Sequence, residues 1–264
     1  MPTSPVEAAG LAAATTPTQP LLEVSGLSVG YGGAPIVHDL SLSVGTRELV
    51  AVIGPNGSGK STLLKGLTGR AKVLAGRVRF EGVDVTGMRG DRLCRRGIGF
   101  VPQNRDVFPT LTVEENLQMG GYVLERHATQ GRIDEVLELF PILRPMLTRR
   151  AGKLSGGERK LLAVARVLML APALLILDEP TAGLSPALAR HLLHDQVPAL
   201  VSSGISVLLV EQKALDALSI ATRGYVLVAG TVQLTGPAGE LLARPDIREV
   251  FLGAAVEGSA EEAP

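Results

Sequence analysis

The chain has 264 residues, and its 26 lysines and arginines balance its 26 aspartates and glutamates, so the formal net charge is zero. A balanced charge argues against nonspecific electrostatic binding of nucleic acid, which needs a basic surface. Hydrophobic residues make up 45% of the chain, yet no run approaches the roughly 20 apolar residues of a membrane-spanning helix, so we expect a soluble, cytosolic protein.

The predicted elements begin after residue 20. The Ala, Thr and Pro content of residues 1–20 predicts a disordered leader, and the composition of residues 254–264 predicts a flexible tail. Residues 40–44 alternate at period two, as in a half-exposed antiparallel strand. Helix patterns alternate with continuous apolar runs, which are typical of central parallel strands covered on both faces. An α/β domain follows from this alternation. The apolar runs are residues 48–54, 174–177 and 207–210, and the main helix patterns are residues 60–69 and 158–170.

The stretch GPNGSGKS, Gly54–Ser61, matches the phosphate-loop pattern of a glycine, four residues and Gly-Lys-Ser. An apolar strand precedes it and a helix follows it, which is the context that the pattern requires. Glycines let backbone amides form a nest around phosphate oxygens, and the helix adds its positive dipole end. Lys60 can reach the β- and γ-phosphates, and the Ser61 hydroxyl can ligate Mg²⁺.

An acidic pair, Asp178 and Glu179, follows a second apolar strand in the stretch LLILDEP. The carboxyl ends of parallel strands are where α/β sheets place their ligand sites. Asp178 suits the shell of a Mg²⁺ ion, and Glu179 can orient or deprotonate an attacking water. A solvated turn is the simpler alternative for two adjacent carboxylates.

A third stretch, LSGGERK at Leu154–Lys160, contains a capping box made by Ser155 and Glu158. That structural explanation leaves Gly156 and Gly157 unexplained, because a glycine in the first turn of a helix costs up to ~1 kcal/mol relative to alanine. Two glycines are expected where bare backbone amides approach an anion closely.

Together with the phosphate loop and the acidic pair, this stretch closely resembles the ATP-binding cassette (ABC) family over about residues 21–253. The resemblance implies an α/β fold with a P-loop NTPase core, an antiparallel β subdomain and a helical insertion subdomain. In this single ATP-binding domain, a RecA-like core would cover residues 21–102 and 161–253, and the helical subdomain would cover residues 103–160.

The resemblance also implies that two cassettes dimerise head to tail around two ATP molecules. Each ATP would lie on the phosphate loop of one subunit and contact Ser155, Gly156 and Gly157 of the other. Tyr31 would stack on adenine, although a lone tyrosine beside glycine is more often a turn or packing residue. The implied ATP-binding residues are Tyr31, Gly54, Pro55, Asn56, Gly57, Ser58, Gly59, Lys60, Ser61, Thr62, Ser155, Gly156 and Gly157.

The implied catalytic residues include Glu179, Lys60 and Gln103, where Gln103 would contact Mg²⁺ and the lytic water; an ordinary loop amide is the alternative for Gln103. The implied Mg²⁺ ligands are Ser61, Gln103 and Asp178. Ser185 lies where many members of the family carry Asp, which leaves a carboxylate role at this position in doubt. Ser185 followed by Pro186 also predicts a helix N-cap and first helical residue.

The apolar run at residues 207–210 leads directly into three polar residues, Glu211, Gln212 and Lys213. By resemblance, this strand ends beside the γ-phosphate, where most members of the family have a histidine, and Gln212 is the equivalent residue. Glutamine has an amide donor and an acceptor but cannot become a cation at neutral pH. We therefore expect Gln212 to position phosphate or water, with hydrolysis resting on Glu179; a solvated strand end is the alternative.

Within the family, the sequence resembles the shorter ATPase subunit of branched-chain amino-acid importers. The stretches that support this resemblance are VPQNRDVFPTLTVEENL, LLVEQKALDAL, RGYVLVAGTV and ELLARPDIREVFLG. Urea and short-amide importers use similar subunits, and a lipopolysaccharide-export ATPase is a rival that would be expected to carry histidine at position 212. The implied partners are a homologous ATPase, two membrane permease subunits and an external solute-binding protein. Such a subunit binds peripherally to the cytoplasmic face of the cell membrane.

Residues 104–117 are expected where the helical insertion meets the core, in the groove that receives a short helix of the membrane subunit in this family. The candidates to line that groove are Phe108, Leu111, Val113 and Leu117. Internal packing of the insertion is an equally good interpretation of each.

Overall fold

The structure is a computed structural model that describes residues 19–104, 107–245 and 247. The predicted tail and all but the last two residues of the predicted leader lie outside the described residues. The strands are β1 (Leu22–Tyr31), β2 (Ala34–Val44), β3 (Leu49–Ile53), β4 (Lys72–Phe80), β5 (Val83–Asp84), β6 (Ile98–Val101), β7 (Leu174–Asp178), β8 (Ser206–Glu211), β9 (Arg223–Val228) and β10 (Thr231–Pro237).

The helices complete the order of elements. They are α1 (Lys60–Leu67), α2 (Gly90–Arg95), α3 (Val113–Gly120), α4 (Arg126–Leu139), α5 (Gly156–Leu168), α6 (Pro186–Arg190), α7 (Val197–Ser202), α8 (Ala214–Ile220) and α9 (Ala238–Ala243). Short 3₁₀ segments at Pro141–Met146 and Ala151–Lys153 join α4 to α5, and a π-helical segment at His191–Gln196 joins α6 to α7.

The larger sheet has the strand order β10-β9-β3-β8-β7-β6, and its strands run parallel except for β10 at one edge. The three runs predicted to be central parallel strands are β3, β7 and β8, and each has a strand on both sides, so that prediction is confirmed. Their residues are buried nearly throughout, because layers cover both faces of the sheet.

The smaller sheet is antiparallel, with the order β2-β1-β4-β5. Within β2, Leu40, Leu42 and Val44 are buried while Ser41 is exposed, which confirms the predicted alternation. The α/β architecture with a separate antiparallel sheet therefore agrees with the expected fold class.

The period of two along β3 divides the hydrophobic core between the two faces of the parallel sheet. Val50 and Val52 point to the side covered by the antiparallel sheet and α1, whereas Leu49, Ala51 and Ile53 point to the side covered by the later helices. Each fully buried aliphatic side chain contributes about 1.5–3 kcal/mol of transfer free energy, which fixes the register of the strand.

Helices α3, α4 and α5 form the helical part of the molecule. Capping boxes begin α3 at Thr112 with Glu115 and α5 at Ser155 with Glu158, as the sequence predicts. Helix α5 is buried along most of its length and runs from Gly156 to Leu168 without interruption, so the predicted subdomain boundary at residue 160 falls inside a helix. The helical part and the core are thus joined by one rigid element.

Candidate functional site

Four neighbouring parallel strands end at the same edge of the larger sheet, and each leads into a predicted site residue or loop. Strand β8 lies between β3 and β7, with Glu211 paired in register to Ile53 and Asp178 paired to Val210. The phosphate loop follows β3, and Gln103 follows β6 by two residues. Residues far apart in the chain are brought together here because parallel strands align their carboxyl ends.

The phosphate loop at Gly54–Ser61 is shaped by close approaches that only glycine allows. A Cβ atom at Gly54 would lie 2.3 Å from the Leu227 carbonyl oxygen, and Gly59 has a φ of +104°, a conformation that L-residues rarely adopt. Helix α1 begins directly after Gly59, with Lys60 as its first residue. The loop therefore directs backbone amides and the positive end of α1 toward one point.

The Ser58 hydroxyl gives this loop an unusual polar atom. Ser58 is 3% exposed, and its Oγ has no hydrogen-bond partner among the described residues. A buried hydroxyl without a partner costs about 1–3 kcal/mol. An acceptor such as a phosphate oxygen would remove that cost, so the loop fits the anion that its sequence predicts.

The Lys60 ammonium lies between the loop and the acidic pair. Its Nζ donates to the carbonyl oxygens of Gly54 (2.7 Å) and Pro55 (3.1 Å) and lies 3.6 Å from Glu179 Oε1. Lys60 is only 5% exposed. The cation is therefore fixed at the place where negative charge of a nucleotide would accumulate.

The acidic pair occupies two different environments. Burial raises the pKa of Asp178 above its usual range and the charge of Glu179 raises it further, while nearby lysines, led by Lys60, oppose the change. The Glu179 carboxylate accepts a hydrogen bond from Gln103 Nε2 at 2.9 Å, across 76 positions of sequence. The structure thus brings Lys60, Gln103, Asp178 and Glu179 together, an arrangement that favours the predicted site over a solvated turn.

Lys160 is a further residue of the site, one that sequence reasoning left without a role. Its Nζ donates to the backbone oxygens of Pro102 (3.3 Å) and Gln103 (2.9 Å), and the side chain is 5% exposed. It therefore holds the loop that carries Gln103 against helix α5. The available signal was a lysine at the fifth position of a helix, directly before a run of apolar residues.

At the N-terminus of α5, a Cβ at Gly157 would lie 2.4 Å from Leu188 Cδ1, so this glycine packs closely against α6. A Cβ at Gly156 would meet only the Gly183 carbonyl oxygen among the described residues, at 3.9 Å, and Gly156 is exposed together with Ser155. Ser155 and Gly156 therefore present an open helix N-terminus at the surface, which keeps them available to a second subunit.

Tyr31 and Ser185 lie at positions that suit their predicted roles. Tyr31 ends β1, is 48% exposed, and its ring lies 5.7 Å from Nζ of Lys65 on α1. Ser185 Oγ accepts a hydrogen bond from the Leu188 amide, and Pro186 begins α6, so the capping prediction is confirmed. An exposed aromatic ring beside α1 is available for stacking on a base.

The end of β8 separates two adjacent polar residues. Gln212, predicted to act at the site, is exposed beyond the strand, whereas Glu211 is 2% exposed. Oε1 of Glu211 accepts hydrogen bonds from the amide (3.1 Å) and the hydroxyl (2.8 Å) of Thr181. Sequence reasoning missed Glu211 as a site residue, because a strand end gives no sign of which polar residue turns inward.

A cavity of about 430 Å³ lies between the helical part and the core. Phe108 lines it and is 41% exposed, with the guanidinium of Arg166 4.9 Å from the centre of its ring. Val113 and Leu117 are fully buried on α3, so for these two residues internal packing is the correct interpretation. Leu111 is half-buried and does not line the cavity.

The oxygen donors around α1 and β7 are of the kind that Mg²⁺ prefers. The Ser61 hydroxyl lies in the first turn of α1 and is exposed, and the Asp178 carboxylate ends β7. The Gln103 amide lies beside Glu179. Hard oxygen ligands next to a phosphate loop fit a magnesium–nucleotide complex.

Known proteins are similar to this chain. The family model described as ABC transporter matches residues 37–182. The high-affinity branched-chain amino acid transport ATP-binding protein BraG of Pseudomonas aeruginosa is 42% identical over 233 residues, which cover 88% of this chain and 100% of BraG. The probable branched-chain amino acid transport ATP-binding protein LivF of Archaeoglobus fulgidus is 40% identical over 88% of this chain and 99% of LivF.

More distant relatives show the same fold. The lipopolysaccharide export system ATP-binding protein LptB of Haemophilus influenzae is 31% identical, with 88% of this chain and 97% of LptB covered. The crystal structure of the ADP conformation of MJ1267, an ATP-binding cassette of an ABC transporter, aligns with a TM-score of 0.80 and 31% identity, covering 89% of this chain and 100% of that one.

Proposed function

The chain belongs to the ABC transporter family, and we propose that this ATPase powers the import of branched-chain or other small hydrophobic amino acids through separate membrane subunits. The observation that carries the proposal is the 42% identity to BraG over the whole length of that protein. The identity to LptB is lower, at 31%, which disfavours lipopolysaccharide export. Among the described residues, no helix is both long and apolar enough to cross a membrane.

In the proposed mechanism, ATP lies on the phosphate loop with its adenine on Tyr31. Lys60 offsets the charge of the β- and γ-phosphates. The corresponding glycine-rich helix start of the partner ATPase closes the site from the other side, and Ser155, Gly156 and Gly157 of this chain close the ATP site of the partner. The backbone amides and the dipoles of α1 and α5 are preorganised, so they stabilise developing negative charge without reorganising.

Glu179 accepts a proton from the attacking water, whose oxygen bonds to the γ-phosphorus as the bond to the β-phosphate oxygen breaks. Gln103, which donates to Glu179 at 2.9 Å, orients that carboxylate and the water, and Gln212 positions phosphate or water. Ser61, Gln103 and Asp178 would hold Mg²⁺, which when bound would neutralise part of the phosphate charge. The products are ADP and inorganic phosphate.

The proposed assembly is a heterodimer with a homologous ATPase, bound to two permease subunits at the cytoplasmic face of the membrane, with an external solute-binding protein. The cavity beside Phe108 would receive the permease. Proteoliposomes containing this complex should take up labelled leucine in an ATP-dependent manner. Uptake of urea and not of leucine would instead assign the chain to the short-amide importers.

We expect Glu179→Gln to abolish ATP turnover in the complex, retain nucleotide binding and trap a closed ATP-bound dimer, because the amide cannot accept the proton. The measurements are steady-state phosphate release and size-exclusion chromatography with ATP. Glu138→Gln, at an exposed position of α4, is the matched control. Undiminished turnover in Glu179→Gln would contradict the assignment of Glu179 as the base.

A further inference from the structure

Glu179 has an unusual backbone conformation. Its φ is +41°, in the left-handed region, and Pro180 follows it. A left-handed conformation is unfavourable for an L-residue, and a following proline further restricts the backbone toward extended conformations. Such strain persists only where the surrounding structure holds the residue in place.

The end of β8 supplies that restraint. The amide of Glu179 donates to the Val210 carbonyl oxygen at 2.8 Å. Two residues further on, the amide and hydroxyl of Thr181 both donate to Oε1 of Glu211, the next residue of β8. The segment Glu179–Thr181 is therefore fixed at both ends to two consecutive residues of one strand.

These contacts lie in the interior, where their contribution to stability is largest. Thr181 and Glu211 are each 2% exposed. Burial raises the pKa of the Glu211 carboxyl, while hydrogen bonds from Thr181 and from the Gln212 amide oppose the change. Losing the acceptor would leave the two Thr181 donors unpaired in the interior, which is unfavourable for buried polar groups.

The geometry points to Glu211 as a positioning residue for ATP hydrolysis: through Thr181, it holds Glu179 in the strained turn that directs the Glu179 carboxylate toward Lys60 and Gln103. It acts as a hydrogen-bond acceptor and touches neither nucleotide nor water. This inference rests on the proposed role of Glu179 as the base. The hydrogen bonds of Glu211 also fix the backbone from which Gln212 extends, because Gln212 directly follows Glu211 at the end of β8.

The test compares substitutions that remove the hydrogen bonds with substitutions that keep them, in the complete transporter complex. Glu211→Leu and Thr181→Val should lower kcat for ATP by about ten- to hundredfold, the effect of a small misplacement of a catalytic group. The KM for ATP should change little, because the phosphate loop is intact. Glu211→Gln and Thr181→Ser retain the acceptor and the donor, and both should keep most of the turnover.

Non-additivity and amide exchange provide two further measurements. The Glu211→Leu/Thr181→Val double variant should be no slower than Glu211→Leu alone, because Thr181→Val removes only the hydroxyl hydrogen bond, which Glu211→Leu already breaks. In the purified chain, the amides of Glu179 and residues 181–184 should exchange hydrogen faster in Thr181→Val than in Thr181→Ser. If Glu211→Leu fails to fold, the two Thr181 variants still decide the question.

Wild-type kcat in Glu211→Leu or Thr181→Val would overturn the inference, as would a loss in Glu211→Gln equal to that in Glu211→Leu. The Glu179→Gln variant separates this failure from failure of the mechanism. If Glu179→Gln is inactive and Glu211→Leu is active, only the positioning role is wrong. If Glu179→Gln remains active, the base itself is wrongly assigned.

Discussion

Asp178 and Glu179 are adjacent carboxylates at the end of β7, and Lys60 is the buried cation nearest to Glu179 in the described contacts. Burial of Asp178 and the neighbouring charge of Glu179 outweigh the nearby lysines and leave the ionised pair electrostatically unfavourable in the nucleotide-free site. The same arrangement suits a bound cation. Residues of this kind trade stability of the free protein for function.

Asp178→Asn should therefore stabilise the ligand-free chain. Because the folded-state pKa of Asp178 is raised above 3.8, its ionisation destabilises the fold increasingly as pH rises above about 4, and an amide removes this effect. We expect a Tm above that of the wild type at pH 7, measured by calorimetry, and loss of the Mg²⁺-dependent stabilisation by ATP. Asp134→Asn, on the exposed face of α4, should neither raise the Tm nor remove the stabilisation by ATP. A lower Tm in Asp178→Asn would contradict the prediction.

Position 212 supports a prediction about pH. Glutamine does not titrate, so this residue should contribute a flat rate of hydrolysis between about pH 6 and 7. Gln212→His should introduce a dependence on pH in that range, measured as kcat of the complex. An unchanged profile would mean that position 212 does not touch the reaction.

The junction between the two sheets is formed by the turn from β2 to β3 and the start of β9. Glu48 in that turn accepts hydrogen bonds from Arg223 Nε (2.6 Å) and Nη2 (3.1 Å) and from the Gly45 amide (2.6 Å). Arg223 also donates to the Ser43 carbonyl oxygen at 2.9 Å. A bidentate, partly buried ion pair therefore joins the antiparallel sheet to the parallel sheet.

Glu48→Gln should destabilise the fold by about 1–2 kcal/mol at pH 7, because charge-assisted hydrogen bonds are lost. Burial alone would raise the pKa of Glu48, but the hydrogen bonds from Arg223 and Gly45 bring it below 4.5. The contribution is thus present above about pH 4.5 and is lost as the pH falls through the folded-state pKa. Urea unfolding at pH 7 and pH 3 measures it, with Glu138→Gln as the control. If Glu48→Gln lowered the free energy of unfolding by the same amount at pH 7 and at pH 3, the result would count against this account.

For the molecule as a whole, the cavity between the helical part and the core is the surface most suited to a partner. Its lining is largely apolar, and Phe108 holds an exposed position there beside Arg166. Asn116 on α3 fixes this loop: its side chain accepts from the Phe108 amide (2.8 Å) and donates to the Phe108 carbonyl oxygen (3.0 Å). A fixed, exposed aromatic residue is typical of an interface anchor.

Phe108→Asp should uncouple this ATPase from its permease, because a carboxylate would be desolvated on docking. We expect loss of co-purification and of transport, while nucleotide binding by the isolated chain is retained. Val83→Asp, at an equally exposed apolar residue of β5 (42%), should leave assembly intact. Co-purification of Phe108→Asp at the wild-type level would argue against docking in this cavity.

Local patterns were sufficient for much of this protein. The two capping boxes depend on residues three positions apart, and the phosphate loop depends on glycines and a lysine within eight residues, so the sequence alone determined them. Continuous apolar runs likewise determined β3, β7 and β8 as central strands, because only a strand covered on both faces can bury every side chain.

The tertiary structure decided what depends on neighbours distant in sequence. Leu188 packs closely against Gly157, the packing of α3 buries Val113 and Leu117, and Thr181 explains why Glu211 turns inward while Gln212 stays exposed. A strand pattern gives the face of each residue but not the order of strands in the sheet or the loop that covers a strand end. The polar residue at the end of β8 could therefore be recognised from the sequence, but its partner could not.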